Sequence, residues 1–268
     1  MNTKPSATRR FLEDHEVFTL EEYAAIVDPA VSRRTRYTNL QNAVRRGSAY
    51  RVRRGLYASN LGVYRDRVPN VYVVATKVAE DAVLSHHTAL EAHGVAHTPL
   101  RTVYFTSAGK VSDFEVRGHR FHRVAPPVSR SPAVLDGFVT RVRAGQAIVP
   151  VTTKERTLVD CLRHPRLAGG LEELLRSVGG FTSISAERVA DYTLLLGSPT
   201  LTARVGWVLE MFEERWYTDA GVLEQMRATL RRGTYRLLPE VGEKRHRFVS
   251  RWRLYVPADD SYREWARG

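Results

Sequence analysis

Between Thr19 and Ala58 the chain encodes two short helices and a tight hairpin with few residues to spare, an order that few folds accept. Thr19-Leu20-Glu21-Glu22 is a capping box: the threonine hydroxyl accepts from the Glu22 amide while the glutamate reaches back to the cap. Leu20, Tyr23, Ala24 and Val27 then recur at helical spacing, and Asp28-Pro29 closes the segment. Ser32 caps a second expected helix, with Tyr37, Leu40 and Val44 on its inward face and Gly47 as its left-handed stop. Tyr50-Arg51-Val52-Arg53 and Leu56-Tyr57-Ala58 alternate about Arg54-Gly55, the pattern of a β-hairpin. A further short helix over Arg9–Glu16 precedes them. The expected unit is a winged helix-turn-helix in residues 1–60.

Charge tells what such a unit meets. The chain has 268 residues and a formal net charge of +12. Of its 41 basic residues only Lys4, Lys77, Lys110, Lys154 and Lys244 are lysines, the usage of a GC-rich genome. Placement is therefore better evidence than the total. Residues 1–60 carry +5, residues 61–150 carry +4, residues 151–230 carry −2 and residues 231–268 carry +5. Arg33–Arg54 holds eight arginines and no acid. With Tyr37, Leu40 and Val44 inward, the opposite face of the second helix presents Thr35, Thr38, Asn39, Asn42 and Arg46, flanked by Arg34 and Arg45. Asparagine and arginine pair bidentately with adenine and guanine edges in the major groove. The hairpin sets Arg51, Arg53 and Arg54 where a wing holds phosphates. The expected partner is double-stranded DNA.

Residues 61–268 form the second expected domain, with 61–70 as a polar connector. Val71–Val83 is apolar with scattered charges, and Ser85–His93 reads as a helix stopped at Gly94. Thr102–Thr106, Phe114–Val116, His119–Val124, Phe138–Val142 and Ala147–Val151 read as strands. Thr152 is the expected cap of a helix running through Leu162, followed by helices over Leu171–Val178, Leu201–Phe212 and Val222–Leu230 and a strand over Phe248–Val256. Strands and helices mix without regular alternation, so the fold class is α+β. A lone cysteine, Cys161, excludes a disulfide framework, and apolar runs such as Val71–Ala75 fall short of the ~20 residues a membrane span needs. A soluble, cytoplasmic protein is expected.

The patterns that could carry catalysis are incomplete. His93 and His97 are four apart, but Gly94 interrupts their helix and no Glu follows in the zinc-protease pattern. Neighbouring His86 and His87 point to different faces, as do His119 and His122 on a strand. Asp113-x-Glu115-x-Arg117 is faintly like a nuclease carboxylate strand, with arginine where lysine is usual. Gly197-Ser198 lacks the Asp-x-Asp that a nucleotidyltransferase needs to hold metal ions. Arg156 and Asp160 have the spacing of an intrahelical ion pair worth a few tenths of a kcal/mol. No catalytic residue, metal site or cofactor is expected; the rival expectation is a metal-dependent nuclease docked to DNA by its winged helix.

Three stretches, in order, resemble the AbiEi family of antitoxins from type IV toxin–antitoxin systems. They are Arg53-Arg54-Gly55-Leu56-Tyr57 at the end of the winged helix, Leu84-Ser85-His86-His87-Thr88-Ala89-Leu90 with Gly94 after it, and Val151–Asp160. Together they reach from about residue 18 to 162, and the tail, with Arg204–Glu210 and Trp252–Pro257, is compatible with them. The resemblance implies a non-enzymatic antitoxin whose winged helix represses its own operon. Its C-terminal part would counteract a nucleotidyltransferase-like toxin, in that family usually without a stable complex.

Overall fold

The computed structural model describes residues 6–27, 30–127, 135–238 and 246–267. Its N-terminal part runs α1 (Ala7–Asp14), β1 (Val17–Thr19), α2 (Leu20–Ile26), α3 (Arg33–Arg45), β2 (Ala49–Arg53) and β3 (Leu56–Ser59). Side-chain caps set each helix start: Ser6, Thr19 and Ser32 accept from the amides of Arg9, Glu22 and Thr35. The Thr19 capping box is complete, with Glu22 Oε2 accepting from the Thr19 amide at 2.8 Å. The Asp28-Pro29 stop lies outside the described residues; Val27 is the C-cap of α2. Gly55 turns the hairpin at φ +81°, a left-handed conformation that glycine adopts without strain, and its carbonyl accepts from the Leu20 amide at 2.8 Å.

The three strands order as β1-β3-β2. Pairing Phe18 with Tyr57 and Val17 with Ala58 sends successive side chains to opposite faces. On one face Phe18 and Tyr57 join Phe11, Tyr23, Leu40, Ala43 and Ala49 in a core of their own. On the other, Val17, Leu56 and Ala58 pack with Val73, Val74 and Ala75 of α4 (Val71–Thr76). The N-terminal sheet is thus buried on both faces.

The body is a six-stranded mixed sheet. Its strands are β4 (Val83–Leu84), β5 (Thr102–Thr106), β6 (Phe114–Val116), β7 (His119–Val124), β8 (Val139–Ala144) and β9 (Ala147–Thr152), ordered β6-β7-β5-β4-β9-β8. β5 runs parallel to β7 and β4 to β9, while the other pairs are antiparallel. Helix α5 (His86–Ala92) follows β4 directly. Beyond β9 come α6 (Lys154–Arg163), α7 (Leu171–Gly179), α8 (Ala186–Leu195), α9 (Pro199–Met211), α10 (Glu213–Trp216) and α11 (Ala220–Ala228). A small sheet of β10 (Tyr235–Arg236), β11 (His246–Val249) and β12 (Leu254–Pro257), then α12 (Ser261–Arg267), completes the chain as described. These helices and β12 share one large apolar core. The class is mixed α/β, and among the described residues no helix is long and apolar enough to cross a membrane.

Several elements differ from the sequence reading. The cap of α6 is Thr153, whose hydroxyl accepts from the Arg156 amide; Thr152 ends β9 and its hydroxyl bonds Thr157 at 2.6 Å. Phe248–Val256 is not one strand, because Arg253 at φ +51° turns the chain between β11 and β12. Helices α8 and α12 stand where no element was expected. The 61–70 connector is anchored: a 3₁₀ turn spans Gly62–Tyr64, and the Asn70 amide donates to Glu16 Oε1 at 2.9 Å.

Gly206 in α9 lies against the Trp252 ring, and a methyl there would stand inside the indole. Trp252 is fully buried and donates its indole N–H to Glu210, so it has nowhere to move. Gly206→Ala is therefore expected to destabilise the fold by about 1–3 kcal/mol through overpacking. Urea denaturation checks this, and an unchanged midpoint would refute the close packing.

Candidate functional site

The face of α3 that meets solvent is set by what its other face touches. Leu40 and Ala43 are its buried residues, with Arg36 and Val44 half-buried beside them. Arg34, Thr35, Thr38, Arg45 and Arg46 are exposed, whereas Asn39 and Asn42 are half-buried. Tyr37 departs from expectation: it is 47% exposed rather than part of the core. The interior beside α3 is already filled by the rings of Phe11, Phe18, Tyr23 and Tyr57, so the small Ala43 takes the inward position. The Ser32 and Thr35 hydroxyls bond each other at 2.9 Å and the Thr38 hydroxyl donates to the Arg34 carbonyl at 3.0 Å, which fixes the first turns. No acidic side chain lies on α3 or on β2.

The hairpin arginines divide. Arg51 and Arg54 are exposed. Arg53 instead lays its guanidinium 5.3 Å from the centroid of the Phe114 ring on β6, with Nη1 buried and lacking a hydrogen-bond partner. Arg117, at the β6–β7 turn, returns the contact 5.1 Å from the centroid of Tyr50 on β2. Each hairpin therefore offers an arginine to an aromatic ring of the other. Lys77 adds an ion pair to Glu22, with Nζ 2.5 Å from Oε1. The candidate interface is in this way held rigidly against the body. Arg53, Phe114, Arg117 and Tyr50 were not legible as a set, because cation–π partners carry no spacing rule across distant strands.

The other two stretches that resemble antitoxin sequences meet inside the body, where α5 packs on α6. Arg156 and Asp160 are not the surface pair their spacing implies. Both are buried, with Arg156 Nε 3.2 Å from Asp160 Oδ2. Tyr192 of α8 donates its hydroxyl to the other carboxylate oxygen at 2.9 Å. Burial, with Asp160 alongside, raises the Tyr192 pKa, so the hydroxyl stays a donor. His86 sits close by, its ring centroid 6.0 Å from that of His164 and 6.4 Å from that of Tyr104. Nδ1 of His86 bonds the Ser85 hydroxyl at 3.0 Å, and Nε2 is buried without a partner. The backbone of His86 is left-handed, φ +51°. His87 points the other way, fully buried between Glu91 at 3.4 Å and Glu173 at 3.2 Å. Burial opposes its protonation, but the two carboxylates outweigh burial and raise its pKa.

The nuclease-like strand places Asp113 between Arg120 and His122, each 2.8 Å from Oδ2. Glu115 lies across from Arg120 in the β6–β7 ladder. Ser198, of the Gly197-Ser198 pair, caps α9 by accepting from the Leu201 amide. His93 Nε2 bonds the Thr152 carbonyl at 2.7 Å, and Cys161 is buried in the large core. Among the described residues no group of three or more His, Cys, Asp or Glu is arranged to hold a metal ion.

No family model matches the chain, and no curated protein matches it. Among solved structures, the crystal structure of the RV2827C protein from Mycobacterium tuberculosis is similar, with a TM-score of 0.65 over 93% of this chain and 89% of that one. The likeness is one of fold. At 15% identity it carries nothing about residues or activity.

Burial pushes the pKa of His86 down to about 4, against the pull of the Asp160 carboxylate. An unfolded histidine titrates near 6.5, so the folded state prefers the neutral ring. Its contribution is present above pH ~6.5 and is lost as pH falls toward the folded value, by about 3 kcal/mol in all. His87 works with the opposite sign, which makes a variant comparison necessary. His86→Asn, which tolerates the left-handed backbone, should lose about 2 kcal/mol less stability than the parent between pH 7 and 4.5, the part of that total titrated over this range. Parallel stability curves in urea titrations would show that His86 is not held neutral.

Proposed function

We propose that this protein is a sequence-specific DNA-binding repressor of its own operon and the antitoxin to a nucleotidyltransferase-like toxin. The second role is what the resemblance to the AbiEi family implies. One observation supports the first above all others. A unit ordered α1-β1-α2-α3-β2-β3, as in a winged helix-turn-helix, turns an acid-free face of α3 with Arg34, Thr35, Thr38, Arg45 and Arg46 to solvent. In this reading α3 enters the major groove, where Asn42, one turn beyond Thr38, reaches a base edge and Asn39 flanks it. Arg51 and Arg54 hold backbone phosphates from the hairpin. The antitoxin role is assigned to the body, where Leu84–Leu90 and Val151–Asp160 lie against each other.

The test is fluorescence anisotropy of the full chain with duplex from immediately upstream of its own coding sequence, against a scrambled duplex. Specific binding is expected to exceed the scrambled control by roughly 10³-fold, and equal affinities would sink the repressor reading. Cleavage of either duplex when Mg²⁺ or Mn²⁺ is added would favour the nuclease rival instead, although Asp113 is already paired with Arg120 and His122.

Two variant experiments sharpen this. Arg54→Ala is expected to flatten the salt dependence by about one unit of log K per log salt, because it removes one phosphate contact. Arg53→Ala should leave that slope unchanged and lower stability, since its guanidinium lies over Phe114. Identical slopes for parent and Arg54→Ala would refute the phosphate assignment. For the antitoxin role, the double variant Asn42→Ala, Arg45→Ala should lose operator binding yet still rescue cells expressing the toxin. Point variants are preferable to removing the N-terminal unit, whose loss would strip Val17, Leu56 and Ala58 from Val73 and Val74. A folded double variant that fails to rescue, beside a parent that does, refutes the division of labour.

A further inference from the structure

Tyr37 is a large ring exposed on a helix face that is otherwise polar and basic. The fold does not need it in the core, because Leu40 and Ala43 supply the inward contacts of α3. At 100° per residue it lies on a continuous stripe with Arg34 one turn before and Gln41 and Arg45 after it. Arg33, Arg34 and Arg36 line the same shallow pocket as Tyr37, between α2 and α3, with Leu20, Tyr23 and Ala24 as its floor. A surface of that charge fits a polyanion, and an exposed ring within it fits the apolar feature that polyanion offers. In a DNA major groove that feature is the C5-methyl group of thymine.

We propose that Tyr37 reads sequence by packing its ring on a thymine methyl group in the major groove. This deepens the DNA-binding reading and rests on it. Gln41, one turn further along the stripe, has the donor and acceptor pair that matches adenine N6 and N7. The preferred half-site therefore contains A·T pairs under the middle of α3. Asn39, on the flank, is left a smaller share of the reading than its residue type implies.

The experiment compares the upstream duplex with the same duplex in which deoxyuridine replaces thymidine, which removes only the methyl groups. The parent should bind the uracil duplex more weakly by about fourfold for each contacted methyl, the value of one buried carbon. Tyr37→Ala should bind both duplexes equally, whereas Tyr37→Phe, which keeps the ring, should retain the difference. Unchanged thermal unfolding of Tyr37→Ala confirms that the loss is not one of folding, and the phenylalanine variant stands as the assay should the alanine variant misfold. A parent that binds specifically but ignores the methyl groups overturns the role of Tyr37 alone, as does a Tyr37→Ala protein that still senses them. A parent with no preference for the upstream duplex overturns the DNA-binding reading itself.

Discussion

The double-sided burial of the β1-β3-β2 sheet is the constraint on which the arrangement depends. A three-stranded sheet beside three helices usually needs only one apolar face, and this one has two. Val17 and Leu56 are nearly fully buried on the second face, where each such side chain contributes about 1.5–3 kcal/mol. Polar links at the same seam add direction: Glu16 accepts from the Asn70 amide, and Glu22 takes Lys77 while also closing the α2 capping box. One carboxylate thus serves both the local helix start and the long-range junction. The basic face of α3 is carried by a sheet that cannot swing freely from the body.

That seam explains where sequence reasoning succeeded and where it failed. Thr19, Glu22, Ser32, Gly47 and Gly55 act within a few residues of themselves, so their caps and turns were legible and stand as read. β5, β6 and β7 likewise follow from local alternation. The 61–70 stretch reads as a polar connector because it shows no apolar periodicity, yet its end is anchored by Glu16, far back in the chain. Tyr37 was misplaced because spacing makes it as good a core residue as Leu40. Only the presence of four other rings in the same interior decides against it. Periodicity identifies a stripe; the partners decide which edge of the stripe is covered.

The same distinction governs the buried charges. Arg156 and Asp160 at helical spacing predict a weak exposed pair, and nothing local announces that Tyr192 and the large core will cover them. Removed from water, the pair becomes far costlier to break than an exposed one, because either partner alone would be an uncompensated buried charge. His86 adds an unpartnered nitrogen and a left-handed backbone to that neighbourhood. Strained, incompletely satisfied groups persist only where the surrounding structure over-determines them.

This gives the body a property that the N-terminal unit lacks. The exposed α3 face is built from side chains that project into solvent, so substitutions there have little effect on the fold. The Ser85-His86 and Arg156–Asp160 stretches are instead internal, joined by α5–α6 packing and by Tyr192. Residues so placed act first on the way the body is assembled. Under the proposed antitoxin role, the acting surface is one displayed by this assembly rather than formed by those buried residues themselves. The reciprocal contacts of Arg53 with Phe114 and Arg117 with Tyr50 then matter beyond stability. They join the hairpin proposed to hold phosphates to β6, an edge strand of the body sheet, and to the β6–β7 turn. A displacement of β6 would therefore disturb the hairpin with it, through a physical contact rather than through sequence proximity.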